Sequence, residues 1–136
     1  MPPPTGRVLV ADRDPDLRAL AQAVLMRAGY AVATADGGLD ALAAAESGGM
    51  RVYVLEVDLP DLSGLAVCHK IKGCTRTASS PVLLISSTSA PEDIEAGYAA
   101  GGDDYLRKPF SSSELVHRVD ALRAAAREHL DRPSGM

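Results

Sequence analysis

Short β-branched runs alternate with helical patterns five times along this chain. That alternation is what most constrains its fold. Each strand that must lie parallel to the last needs a crossover back along the sheet, and an amphipathic helix is the compact way to make it. The first run is Val8 to Ala11. Asp14 and Pro15 then supply an N-cap and a first-turn proline for a helix reaching about Ala28. Leu17, Leu20, Ala21, Val24, Leu25 and Ala28 share one face of it, and Gly29 stops it. Ala31 to Ala35 is the second strand, followed by an alanine-rich helix from about Gly38 to Glu46. Val52 to Leu55, apolar on both faces, reads as a central parallel strand, and a third helix runs from about Gly64 to Lys72. Val82 to Ile85 is the fourth strand, with a helix from Pro91 to about Ala100 behind it. The fifth strand is short, near Tyr105 and Leu106. Ser111-x-x-Glu114 is a capping-box pattern opening a last helix whose stripe is Leu115, Val119, Leu122 and Ala126.

At 136 residues and 46% hydrophobic, the chain fits one domain with a single core. Residues 7–126 carry the pattern, 1–6 read as a disordered N-terminus, and 127–136 read as a frayed tail or linker. The formal net charge is −4 with basic residues scattered, which argues against nucleic acid or an anionic membrane as a direct partner. No apolar run approaches the roughly 20 residues of a membrane span. The N-terminus does not read as a signal peptide, so a cytoplasmic location is expected. Cys68 and Cys74 lack metal-ligand spacing to each other or to His69, His117 or His129, so they are expected to be free thiols and the histidines surface residues.

An open, doubly wound parallel sheet binds its ligands in the crevice beyond the carboxyl ends of its strands. Those ends deliver Asp12 and Arg13, then Glu56, then Ser86 with Ser87, and finally Lys108 before Pro109. Glu56 closes the run Arg51-Val-Tyr-Val-Leu and opens the loop Val57-Asp58-Leu59-Pro60-Asp61-Leu62-Ser63-Gly64.

With these residues in these places, the chain resembles the response-regulator receiver family of two-component signalling over about Arg7 to Ala126. The resemblance implies a CheY-like, flavodoxin-like (βα)5 fold with a five-stranded parallel sheet in the order 2-1-3-4-5. It implies a phosphorelay role exercised through contacts with other proteins, with no enzymatic function. By position, Asp12 and Arg13 fall on the family's acidic pair, Glu56 on the phosphoacceptor aspartate, Ser86 and Tyr105 on the switch hydroxyl and aromatic, and Lys108 and Pro109 on its lysine and cis-proline. Arg13 and Glu56 depart from the pattern.

Both departures touch the chemistry the resemblance implies, in which an aspartate oxygen attacks phosphohistidine phosphorus beside Mg²⁺ held by carboxylates. One extra methylene at Glu56 moves the nucleophile by roughly 1 Å, and misplacement of that size costs on the order of 100-fold in rate. Arg13 offers no lone pair to a metal and is always protonated. Together Asp12, Glu56, Arg13 and Lys108 sum to zero charge, so no cofactor is expected and Mg²⁺ binding should be lost or weak. An inward Arg13 paired with Glu56 or Asp12 would fill the space left.

The reading that follows is an atypical receiver, a pseudo-receiver that acts as a phosphorylation-independent interaction module. Glu56 would then either imitate a phosphorylated aspartate, with one negative charge against about two, or mark a degenerate scaffold. Two alternatives stand beside it: a working phosphoacceptor using Glu56 or Asp58, and a flavodoxin-like binder of a small ligand. Asp58 gives Asp-x-Pro where the family has Asp-x-x-x-Pro, and Asp61 reads as a solvated loop acid. Expected partners are signalling proteins, a histidine kinase or an output domain. The mixed charges Asp103, Asp104, Arg107, Arg118 and Arg123 suit a weak homodimer through helix four, strand five and helix five.

Overall fold

The computed structural model describes residues 6–131, with side chains to 126. Five strands alternate with five helices: β1 (Arg7–Ala11), α1 (Pro15–Arg27), β2 (Ala31–Ala35), α2 (Gly38–Glu46), β3 (Met50–Glu56), α3 (Gly64–Lys72), β4 (Val82–Ser86), α4 (Pro91–Ala99), β5 (Asp104–Arg107) and α5 (Ser112–Asp131). All pairings are parallel and the order is β2-β1-β3-β4-β5. This is the flavodoxin-like arrangement expected.

Side chains of a strand point alternately to its two faces, so each central strand feeds two cores. Leu9, Tyr53, Leu55 and Leu84 pack with Ala41, Ala45, Val67 and Ile71 of α2 and α3. Val8, Val10, Val52, Val54, Leu83 and Ile85 pack with Ala21, Leu25, Leu115 and Val119 of α1 and α5. Burial on both faces is why the central strands read as unbroken apolar runs.

The local signals act as their chemistry requires. Asp14 caps α1, its carboxylate accepting from Asp16 and Leu17 N–H. In the capping box of α5, Ser111 N–H donates to Glu114 Oε1 at 3.2 Å and Glu114 N–H to Ser111 Oγ at 3.1 Å. Cys68 is buried and Cys74 exposed, both free, and burial pushes the Cys68 thiol up to about 11.

Three expectations need correction, and one residue does more than expected. Leu20, placed on the buried face of α1, is 54% exposed, because it lines an open apolar cleft between α1 and the start of α5 with Leu17, Pro109 and Phe110. Gly6, placed with a disordered N-terminus, belongs to the fold: its carbonyl accepts from Ala31 N–H at 3.1 Å. The rest of that segment, 1–5, lies outside the described residues. The tail beginning at Arg127 is helical as far as Asp131, since nothing in that stretch breaks a helix before Pro133; 132–136 lie outside the described residues. Asp61 is exposed in its loop, as expected, and it makes contacts that its place in the chain did not suggest. At φ 63°, it accepts from Gly38 N–H at 2.8 Å and Leu62 N–H at 2.6 Å, capping α2 from the loop after β3.

Candidate functional site

Strand register brings the candidate residues level. Ala11 pairs with Leu55, so Asp12 follows β1 at the height of Glu56, the last residue of β3. Ser86 pairs with Arg107, which places Lys108 one step beyond β5 at the same end of the sheet. The Lys108–Pro109 bond is cis.

Glu56 is 7% exposed and Asp12 5%, so two carboxylates are withdrawn from water side by side. Lys108 Nζ bridges them, at 2.9 Å from Asp12 Oδ2 and 3.3 Å from Glu56 Oε1. The other oxygens take backbone donors: Arg13 N–H reaches Glu56 Oε2 at 2.8 Å, and Asp14 N–H reaches Asp12 Oδ1 at 2.9 Å. Every carboxylate oxygen of the pair therefore has a donor from the chain itself.

The Arg13 side chain does not enter the crevice. It is exposed, and its Nη1 lies 3.5 Å from the Asp58 carbonyl. The expected guanidinium pairing with Glu56 or Asp12 is thus replaced by a backbone contact, because the β1–α1 turn aims the Arg13 N–H inward and its side chain out. With the guanidinium outside, Asp12, Glu56 and Lys108 leave the pocket one negative charge rather than none. Burial pushes the Glu56 pKa up, the Arg13 N–H opposes this, Asp12 adds to it, and Lys108 opposes it. Burial pulls the Lys108 pKa down, but the hydrogen bond and charge of Asp12, then Glu56, outweigh it, so the net shift is upward.

Glu56 is held from behind as well. A Cβ built on Gly64 would lie 2.0 Å from the Glu56 carbonyl oxygen, so α3 starts directly against the backbone of the site. In the sequence Gly64 shows only as the first residue of the third helix, because the backbone it packs against lies across a loop.

Ser86 is buried and its Oγ accepts from Thr88 N–H at 3.2 Å. Tyr105 is half-buried, its hydroxyl donating to the Thr88 carbonyl at 3.1 Å. Gly97 of α4 makes room for the ring: an added Cβ would come within 3.1 Å of Tyr105 Cδ2. Asp58 is exposed in the turn beyond β3, apart from the carboxylate pair.

Magnesium prefers near-octahedral oxygen ligands and keeps several waters. Here two carboxylates converge, each already bonded on both oxygens, and the third position carries an outward arginine. Among the described residues no three His, Cys, Asp or Glu side chains gather as a metal site.

An open parallel sheet with a lysine-bridged acidic pair at its strand ends and a cis-proline after the last strand defines a CheY-like signalling domain. The model of the response regulator receiver domain matches residues 8–120, and the chain belongs to that family. The chain is 45% identical over 115 residues to the probable transcriptional regulatory protein TcrX of Mycobacterium tuberculosis, covering 85% of this chain and 48% of that one. To the transcriptional activator protein PfeR of Pseudomonas aeruginosa it is 38% identical over 129 residues, 95% of this chain and 41% of the relative. The chain spans about half the length of these curated relatives. A putative response regulator from Chloroflexus aurantiacus superposes with TM-score 0.84 at 31% identity, covering 90% of this chain and 99% of the other. The chemotaxis regulator CheY4 of Vibrio cholerae gives 0.82 at 28%, with 85% and 97% covered. Receivers are signalling modules. No described helix is long and apolar enough to cross a membrane.

Proposed function

We propose that the chain is an atypical receiver that signals through protein contacts without accepting a phosphoryl group, acting in the cytoplasm as part of a two-component pathway. The observation that carries this reading is the engaged pair: Lys108 and two backbone N–H groups place one donor on each of the four oxygens of Asp12 and Glu56. A nucleophile must aim an oxygen at phosphorus, and a metal must compete with these donors for the lone pairs each oxygen retains. Glu56 has the wrong length and position 13 the wrong charge for both.

The buried carboxylate of Glu56 takes the place that a phosphoryl group would occupy only in part, with one negative charge against about two. The inward hydroxyl of Tyr105 supports a receiver resting near its switched conformation. The partners proposed are a histidine kinase or an output domain, the latter supported by relatives named as transcriptional regulators. Direct contact of this domain with nucleic acid is not part of the reading.

The double variant Arg13→Asp with Glu56→Asp tests it. Followed by amide spectra during Mg²⁺ titration, the wild type is expected to leave the crevice resonances in place and the double variant to shift them at millimolar metal. Saturable Mg²⁺ binding by the wild type would overturn the reading.

A further inference from the structure

Between α1 and the start of α5 the two helices do not close on each other. Leu17, Leu20 and Val24 form one wall of a cleft, and Phe110 and Leu115 form the other. Ala21 and Leu115 are buried at 5% and 1% exposed, while Leu20 is 54% exposed. The space enclosed is about 350 Å³ and open to solvent. Apolar walls that face water contribute little to folding and gain free energy when something covers them.

Size and charge together narrow what that can be. Sites for small molecules run from roughly 300 to 1,000 Å³, and this cleft falls near the lower end. A helix with its side chains is roughly 10 Å across and can only lie over such a space, whereas a bicyclic aromatic molecule enters it. Lys108 is the only charged residue of the lining, and its ammonium is already engaged by Asp12 at 2.9 Å and Glu56 at 3.3 Å. A charged ligand would leave water for apolar walls without a partner, which is costly; a neutral one would not. Ser87 and Ser112, both exposed, add hydroxyls to the lining that can donate or accept one hydrogen bond each to an entering molecule.

The cleft also borders the carboxylate pair. Lys108 lines it and bridges Asp12 to Glu56, so a molecule seated there packs against the side chain that holds the two acids together. We propose that the cleft is a binding site for a neutral, largely apolar molecule the size of a bicyclic aromatic, oriented by Ser87 or Ser112, whose presence is felt at the carboxylate pair through Lys108. The site is separate from the question of whether Glu56 accepts phosphate, and stands or falls on its own.

The experiment titrates indole into the isotope-labelled chain and follows side-chain methyl and carboxyl resonances. Indole is expected to shift the methyls of Leu17, Val24 and Leu115 saturably and to move the Glu56 carboxyl resonance along the same curve. Indole-3-acetate, the same ring carrying a carboxylate, should bind roughly tenfold more weakly or worse, and Leu20→Glu should weaken indole by a similar factor, since each brings an unpaired charge to the apolar walls. Leu39→Glu, at a leucine 59% exposed on α2, should leave indole binding unchanged, which separates a local effect from a general one. No saturation at millimolar indole, shifts centred on another face, indole-3-acetate binding as tightly as indole, or a Glu56 resonance that stays in place while the methyls saturate would each overturn the proposal. So would an amphipathic helical peptide that shifts the same methyls when indole does not, since it would give the cleft to a protein partner.

Discussion

Burial, with Asp12 beside it, raises the Glu56 pKa against the opposing pull of the Arg13 N–H and Lys108. Its folded pKa lies above its unfolded value, so the folded chain binds that proton more tightly. The resulting stability is fully present below the unfolded pKa and is lost as pH rises through the folded one. Glu56→Gln removes the titration, and denaturant melts from pH 4 to 8 should show a flatter dependence of stability on pH just above the ordinary carboxylate range. Lys108, also raised, contributes stability that persists through neutral pH and disappears only as alkali takes its proton. Lys108→Ala leaves two adjacent buried carboxylates without their cation, and should destabilise by about 1–3 kcal/mol at neutral pH. Arg13→Ala removes an exposed side chain but keeps the N–H that bonds Glu56, so its effect should stay within about 0.5 kcal/mol. The sequence identified all of these positions, because residue type and place along a strand are visible in one dimension. It misjudged Arg13, since which of a residue's groups faces a crevice depends on the dihedrals of a turn, and no spacing encodes those.

At the scale of elements, the loop between β3 and α3 is clamped at both ends. Asp61 ties it to the start of α2, and Gly64 seats α3 on the Glu56 backbone. Asp61→Ala should cost about 1 kcal/mol through two lost hydrogen bonds and an alanine at φ 63°. Gly64→Ala drives a methyl against a backbone oxygen that cannot step aside, and about 3 kcal/mol or more is expected in the same melts. Strand and helix identities were legible for a physical reason: burial on both faces gives β3 and β4 continuous apolar runs, and caps such as Asp14 and Ser111 act within a few residues. The clamp was not legible, because Asp61 and Gly38 are distant in sequence and meet only once the strands are in register.

Across the whole molecule, the charges that seemed suited to a dimer face mostly pair within the chain. Arg118 Nη1 lies 2.8 Å from both oxygens of Asp104, Lys72 lies 2.7 Å from Asp103, and Arg123 donates to Tyr30 at 3.2 Å. Exposed pairs are worth about 0–1 kcal/mol, so exchange with a second copy is open but weakly driven. Sedimentation should show weak self-association, reduced in Arg118→Glu; a strictly monomeric wild type would rule out the dimer and favour a scaffold role. The central claim, that this receiver does not accept a phosphoryl group, is tested most directly by intact mass after incubation with acetyl phosphate and Mg²⁺, on the wild type and on Glu56→Ala. The account predicts an unchanged mass for both, and a phosphoryl adduct on the wild type that disappears in Glu56→Ala would contradict it.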